Sequence, residues 1–288
     1  MGLAFRVSEY VRPETFDEAL AAISKYGKNC KIVAGGTNVL VDKPSGVEAL
    51  VDITRLDLRH IRDGNGLTIG ALATVADLQD SPLLEGPFSI LKEAAKPFGH
   101  ALLRHLATIG GNICKAHPVL DFPPPLLALD AQVKLRSEKG ERSVPLEEFF
   151  LGFEETALGD DEILIEFEIP SPAPRTGGAF LRLGWTQVDM ALINTAIVVT
   201  LSSDNTCQGA RIALGTAAPI PFRSKRAESL LMGKKIDDSL IKEAASAASQ
   251  ESTPMDYSRG SAAYKRHIIG VFVERGLTEA LGRARGGS

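Results

Sequence analysis

A chain of 288 residues with 44% hydrophobic residues has the material for a sizeable core and the length for two domains. Its formal net charge is −4, its basic residues are scattered, and no apolar run approaches the roughly 20 residues that span a bilayer, which argues against a nucleic-acid partner and a membrane span. Three dispersed cysteines, Cys30, Cys114 and Cys207, do not make a disulfide framework, and residues 1–6 lack the layout of a signal peptide, so a reduced, cytoplasmic protein is expected.

Residues 10–14 read as an extended lead-in to a first helix. Thr15 with Glu18 three positions on forms a capping-box pattern, Ala19, Leu20, Ile23 and Tyr26 continue at helical spacing, and Gly27 is placed to end the helix. Residues 30–34 form a short apolar strand that delivers the stretch Ala34-Gly35-Gly36-Thr37-Asn38, and residues 49–53 form another strand. A turn at 63–66 leads into a strand at 67–69, and residues 74–77 start a short helix. Residues 89–106 are helix-rich with a break around Pro97, and they feed a second stretch, Thr108-Ile109-Gly110-Gly111-Asn112. Three prolines at 123–125 precede a short helix whose first turn tolerates them. Residues 131–137 and 142–144 flank a polar turn as a hairpin, and 162–169 alternates apolar and acidic residues as a half-buried strand does. The proline- and glycine-rich residues 171–178 read as a linker. Beyond it lie strands at 179–183, 191–202 and 209–214, then helices at 224–232, 238–249 and about 262–281, which predicts a smaller sheet-and-helix domain from about residue 175.

The two glycine pairs are the chemical signal. Adjacent glycines turn the backbone through positive φ and bring successive N–H groups close to a ligand, the usual cradle for phosphate. One such pair is more often a tight turn; two suggest a large phosphate-bearing ligand held from two sides. Neither G-x-G-x-x-G nor a Walker lysine loop occurs, so a Rossmann or P-loop site has no support. The histidines show no H-x-x-x-H spacing, C-x-x-C is absent, and so is the G-x-S-x-G elbow. Cys114 with His117 admits a nucleophile–base reading, although an inert buried cysteine is the commoner arrangement. With so little acid–base machinery, a bound cofactor would carry the hard chemistry. Asp121 suits either the hydroxyls of a ribose or ribityl chain or the dipole of the helix after it, and Phe98 either an aromatic ring or the core.

Val33-Ala34-Gly35-Gly36-Thr37-Asn38-Val39-Leu40 and residues 104–113, with Asp121 and residues 126–131 after them, resemble the FAD-binding medium subunit of the molybdenum hydroxylases. That family includes the medium chain of aerobic carbon monoxide dehydrogenase and the flavin domain of xanthine dehydrogenase. Residues 162–170, 209–215 and Tyr264-Lys265-Arg266-His267 look like its C-terminal landmarks, so the likeness covers nearly the whole chain in order. The resemblance implies an α+β fold: a two-lobed, PCMH-type (vanillyl-alcohol-oxidase-like) FAD-binding domain over residues 1–174, with lobes at about 1–55 and 56–174, and a small carbon monoxide dehydrogenase flavoprotein-like C-terminal domain over 175–288.

The same resemblance implies non-covalent FAD, with Val33 to Leu40 and Thr108 to Asn112 wrapping the pyrophosphate and neighbouring groups. It places Phe98 near the flavin ring, makes Asp121 the FAD-contacting aspartate, and sets Leu164 beside the cofactor. Relatives carry a lysine in an F-x-K strand; Phe180-Leu181-Arg182 stands here, with Arg182 keeping the charge, and Trp185-Thr186 stands where a basic pair follows. The implied role is electron transfer within a complex. A large subunit would hold the molybdopterin cofactor and a small subunit two two-iron, two-sulfur clusters, in a dimer of heterotrimers. The external acceptor would be NAD, a quinone, oxygen or a ferredoxin. The cysteine count leaves no room for the inserted iron–sulfur loop of some relatives. A self-contained flavin oxidase and a nucleotide-binding protein without redox role stand as alternatives.

Overall fold

A short parallel sheet opens the chain. The computed structural model describes residues 6–256 and 260–286; residues 1–5, on which most of the signal-peptide reading rests, lie outside the described residues. Strand β1 (Glu9–Val11) leads into α1 (Phe16–Tyr26), β2 (Cys30–Val33), α2 (Val39–Asp42) and β3 (Ala49–Asp52), and β3 lies between β1 and β2, parallel to both. Thr15 caps α1 by accepting from the Glu18 N–H at 3.2 Å. The Glu18 carboxylate takes the N–H of Glu14 at 2.8 Å, one residue earlier than a full capping box requires. Gly27, at φ 51, ends the helix as its position predicts. Ala19, Leu20 and Ile23 bury the inner face of α1 with Ala49 and Val51 of β3.

The next unit is antiparallel. The hairpin β4 (Ile61–Gly64) and β5 (Gly66–Gly70) is followed by α3 (Val75–Asp80), whose Thr74 and Asp77 do complete a capping box. Helices α4 (Ser89–Ala95) and α5 (Ala101–Leu106) are separated at Pro97 and Gly99, the latter at φ 47, as the proline predicts. Then come α6 (Ile109–Lys115), α7 (Pro123–Ala128), the hairpin β6 (Gln132–Ser137) and β7 (Gly140–Pro145), α8 (Leu146–Phe149), and the small pair β8 (Phe150–Gly152) and β9 (Glu155–Thr156). Strand β10 (Ile163–Pro170) returns to the centre of a sheet ordered β4-β5-β10-β6-β7. Its pattern explains that place: Phe167 and Ile169 face the core, whereas Glu166 and Glu168 on the other face both reach Lys134, at 2.6 and 2.7 Å.

The C-terminal sheet, ordered β11-β12-β13-β14, is built from β11 (Thr176–Leu183), β12 (Ile193–Leu201), β13 (Cys207–Gly215) and β14 (Phe222–Arg223). Strand β11 starts three residues before the predicted strand, so pairing of Thr176, Gly177 and Gly178 with β12 shortens the linker to residues 171–175. Helices α9 (Lys225–Leu231), α10 (Asp238–Glu251) and α11 (Ala262–Ala284) follow, matching the predicted set within a few residues. Alternate residues of β12 enter different cores: Ala196 and Val198 pack with α4, α6 and α7, whereas Ile193, Ile197 and Val199 pack with α10 and α11. A strand covered on both faces reads as a continuous apolar run, which is what 196–199 shows.

Gly177 permits the closest approach of α11 to this sheet. A Cβ there would lie 2.2 Å from the Ala280 carbonyl oxygen and 2.5 Å from the Ala284 nitrogen. Gly177→Ala is therefore expected to destabilise the full chain by about 1–3 kcal/mol, as overpacking does, and to lower its thermal midpoint; an unchanged melt would show that α11 is not seated on β11.

Candidate functional site

The first glycine stretch leaves the carboxyl end of β2, the end of a parallel sheet at which ligands commonly bind. Gly36 adopts φ 69, and the N–H groups of Gly35, Gly36, Thr37 and Asn38 donate to no other group among the described residues. Consecutive unpaired N–H groups around a left-handed residue make an anion-binding concavity. Gly35 is required for a second reason. A Cβ at this position would fall 1.7 Å from the carbonyl oxygen of Leu106, so only glycine lets the turn lie against the end of α5.

The second stretch differs from its expectation as a loop. Thr108 is the N-cap of α6, and Gly110 and Gly111 sit in the first helical turn. Their N–H groups are already engaged: Ile109 donates to the Ala73 carbonyl and Gly110 to the Ala71 carbonyl, both at 2.9 Å, Gly111 to the Thr108 hydroxyl at 3.1 Å, and Asn112 to the Thr108 carbonyl at 3.0 Å. The glycine at 110 serves packing, since its Cβ would lie 2.7 Å from the Ala71 carbonyl oxygen. These four backbone groups therefore form no second cradle. What the stretch offers is Asn112, 5% exposed, whose Oδ1 is buried without a hydrogen-bond partner among the described residues. Such an orphan costs about 1–3 kcal/mol, which a ligand donor at that position would relieve.

The fold brings these two stretches together. Gly35 abuts Leu106, two residues before Thr108, and Lys115 at the end of α6 pairs with Asp42 of α2 at 2.7 Å and with Glu154 at 3.0 Å. One free backbone cradle and one orphaned amide thus lie on adjoining elements. That donor set fits a nucleotide cofactor with a pyrophosphate and hydroxyls.

Asp121 and Arg182, more than sixty positions apart in sequence, meet in a buried ion pair: Arg182 Nε donates to Asp121 Oδ1 at 2.9 Å. Asn194 Nδ2 donates to the same oxygen at 3.0 Å and to the Leu120 carbonyl at 3.0 Å, and Arg182 also donates to the Asp189 carbonyl. Burial pushes the Asp121 carboxyl above its ordinary value, with Arg182 and Asn194 pulling the other way. Asp121 Oδ2 accepts from none of the described residues. Asn194 is absent from the sequence-predicted set; the signal for it is a polar residue at the head of a strand that is otherwise largely apolar.

Phe98 is partly buried, its ring 5.8 Å from that of Phe122 and tilted by 37°, and Leu164 lies in the same core at the bulge of β10. Between α4 and β11 an open cleft of about 490 Å³ is lined by Glu93, Pro97, Phe180, Arg182 and Trp185 among others. The nucleophile–base reading of Cys114 and His117 finds no support in the local chemistry. Burial alone pushes the Cys114 thiol up to about 12, and burial is the main cause that lowers His117, whose Nδ1 accepts from the Val119 N–H at 3.3 Å.

The Asp121–Arg182 pair yields a stability test with opposite signs. Arg182→Leu leaves a buried carboxylate without its cation and should cost about 3–5 kcal/mol, whereas the double variant Asp121→Leu/Arg182→Leu should recover most of that loss. Urea unfolding of the three proteins reads the cycle, and a double variant as unstable as the single one would contradict it.

The comparisons with known proteins show the family and the fold in which this geometry is set. Residues 4–172 match the family described as the FAD binding domain in molybdopterin dehydrogenase, and residues 180–280 match the CO dehydrogenase flavoprotein C-terminal domain. The chain is 35% identical over 280 residues to the carbon monoxide dehydrogenase medium chain of Hydrogenophaga pseudoflava, covering 96% of this chain and 97% of that one. It is 33% identical to the 6-hydroxypseudooxynicotine dehydrogenase complex subunit alpha of Paenarthrobacter nicotinovorans, covering 96% and 95%. A solved carbon monoxide dehydrogenase from Hydrogenophaga pseudoflava superposes with a TM-score of 0.92 at 35% identity, covering 96% of this chain and 98% of that one. The α+β architecture is thus a PCMH-type FAD-binding domain followed by a flavoprotein C-terminal domain, and FAD is its cofactor. Free backbone donors at Gly35 to Asn38, set in that fold, lead to one assignment: the chain belongs to the FAD-binding medium subunits of the molybdenum hydroxylases, the flavoprotein members of multi-subunit oxidoreductases.

Proposed function

We propose that this chain is the electron-transfer subunit of a molybdenum hydroxylase complex, with residues 1–174 as its FAD-binding domain and 175–288 as the C-terminal domain. The observation that carries the reading is the run of unpaired N–H groups at Gly35, Gly36, Thr37 and Asn38, set against Leu106 and close in the fold to the orphaned Asn112 amide. FAD, when bound, supplies a redox centre that receives electrons from one partner and releases them to an external acceptor.

Each residue's part follows from its chemistry. The N–H groups of Gly35 to Asn38 neutralise pyrophosphate charge, with Val33, Ala34, Val39 and Leu40 framing the turn. Thr108, Ile109, Gly110 and Gly111 hold Asn112 in place through the capped first turn of α6, and the Asn112 amide oxygen accepts from the cofactor. Arg182 and Asn194 fix Asp121 Oδ1 and leave Oδ2 for a hydroxyl. Phe98 and Leu164 supply apolar walls.

Burial leaves Cys114 a protonated, inert thiol beside a His117 whose Nδ1 is engaged, which suits a division of labour in which the organic substrate is transformed on another subunit. The partners of this reading are a large subunit with the molybdopterin cofactor and a small subunit with two two-iron, two-sulfur clusters, as a dimer of heterotrimers. Three free cysteines suit a reducing cytoplasm, and among the described residues no helix is long and apolar enough to cross a membrane.

The test is the visible spectrum of the full chain after incubation with FAD and gel filtration. Retained flavin bands support the reading, and a colourless protein overturns it. Asn112→Leu separates binding from folding: it removes a buried orphan, so the apo chain should melt at the same or a higher temperature, while FAD affinity falls about tenfold. Equal FAD affinity in this variant would remove Asn112 from the site. Reduction of the flavin by small substrates with the chain strictly alone would favour the self-contained oxidase instead.

A further inference from the structure

We propose that Asp130 is a positioning residue for the cofactor: clamped by Arg211 and Arg223, it fixes the far end of α7 and so sets where Asp121, at the near end, presents its carboxylate. The proposal rests on the reading of Asp121 Oδ2 as the acceptor for a cofactor hydroxyl.

Helix α7 lies across the C-terminal sheet as a short rod. Its residues are all buried, and it packs on β12, β13 and β14, with Leu126 to Leu129 in one core with Ala196, Val198 and Ala213. An aspartate at each end ion-pairs with that sheet. At the start, Asp121 Oδ1 is held by Arg182 of β11 and Asn194 of β12. At the finish, Asp130 Oδ1 accepts from Arg223 Nη1 of β14 at 2.7 Å, and Asp130 Oδ2 pairs with Arg211 of β13. The two carboxylates thus reach all four strands from points roughly 13 Å apart, at about 1.5 Å per residue.

Local chemistry gives neither aspartate its place. Pro123, Pro124 and Pro125 have no N–H, so the first turn of α7 offers no backbone donor to Asp121. Asp130 stands at φ 52 in a Schellman stop: its own N–H donates to the Leu127 carbonyl at 3.2 Å, and the Ala131 N–H donates to the Leu126 carbonyl at 3.0 Å. Glycine is the residue that such a left-handed position favours. The aspartate found there costs the backbone something and draws an arginine from each of two strands. Arg223 is oriented in advance, since its Nε and Nη2 donate to Glu228 of α9, both at 2.8 Å, and that carboxylate also accepts the Ile212 N–H at 2.9 Å. Packing at the near end is close: a Cβ on Gly215 would lie 1.9 Å from Asn194 Oδ1 and 3.0 Å from Pro124 Cγ. Release of the far clamp tilts α7 on the sheet, and even a small tilt displaces the Asp121 carboxylate from Arg182 and Asn194.

The experiment titrates the full chain with FAD, follows flavin fluorescence, and compares the parent with Asp130→Asn and Asp130→Gly. Asparagine tolerates the left-handed backbone and glycine favours it, so α7 keeps its stop in both variants and only the carboxylate is lost. Both should bind FAD about three- to tenfold more weakly than the parent, with an unchanged far-ultraviolet circular dichroism spectrum. The decisive readout is a cycle with Asp121. In an Asp121→Leu/Arg182→Leu background, and in an Asp121→Ala background that keeps Arg182, Asp130→Asn should change FAD affinity no further, because Asp130 acts through Asp121. A loss that persists in full in those backgrounds would mark a general loosening of the fold and overturn the proposal. Parent-like FAD affinity in both Asp130 variants would overturn it too, and where the Asp121 backgrounds still bind FAD weakly the reading of Asp121 survives alone. Backgrounds that bind FAD as the parent does would refute the reading of Asp121 as a hydroxyl acceptor, and this proposal with it.

Discussion

Strand β12 is the constraint on which the rest of the structure depends. It is buried on both faces, so its alternate side chains must satisfy two cores at once. Ala196 and Val198 close the core of the FAD-binding domain, and Ile197 and Val199 close that of the C-terminal domain. The two domains therefore share a wall. The Asn194 Nδ2 finds partners in Asp121 and the Leu120 carbonyl, whereas Asn194 Oδ1 and Thr195 Oγ1 are buried without a partner among the described residues. Arg182, on the neighbouring β11, reaches the same carboxylate. The aspartate of one domain is thus held by side chains of the other, so the position of its carboxylate depends on domain docking.

The site is asymmetric in its use of glycine. At 35 and 36 the missing side chains serve both a close approach to Leu106 and a turn whose N–H groups stay free. At 110 the glycine serves packing against Ala71, and the N–H groups at 109–112 are consumed by the fold. Two similar sequence signals thus have different physical meanings: one is a donor cradle, the other a helix start that positions an amide. The distinction lies in where the hydrogen bonds go, and local sequence carries no record of that.

Much of the framework was nonetheless legible. Thr15, Gly27 and Pro97 act as local punctuation, and each marks the boundary its chemistry demands. Strands with one apolar face, such as β10, announce themselves by period-two alternation. The errors are of a different kind. The linker looked longer than it is because glycines at 177 and 178 suggest a loop, whereas β12 recruits them as strand, α11 needs Gly177 small, and Ile90 of α4 with the Pro87 carbonyl needs Gly178 small. Asp121, which reads as a hydroxyl acceptor or a helix-dipole partner, is also one half of a buried ion pair that nothing in its local sequence announces.

The sequence by itself determined the order of elements, the family likeness, and the two glycine stretches together with Asp121, because these depend on residue type at short range. Only the tertiary structure decided which glycine pair keeps its N–H groups free, that Asn112 carries an orphaned oxygen, and that Arg182 and Asn194 hold Asp121. Those facts turn on hydrogen-bond partners far apart in sequence, and a donor's availability is settled only when every competing acceptor has taken its place.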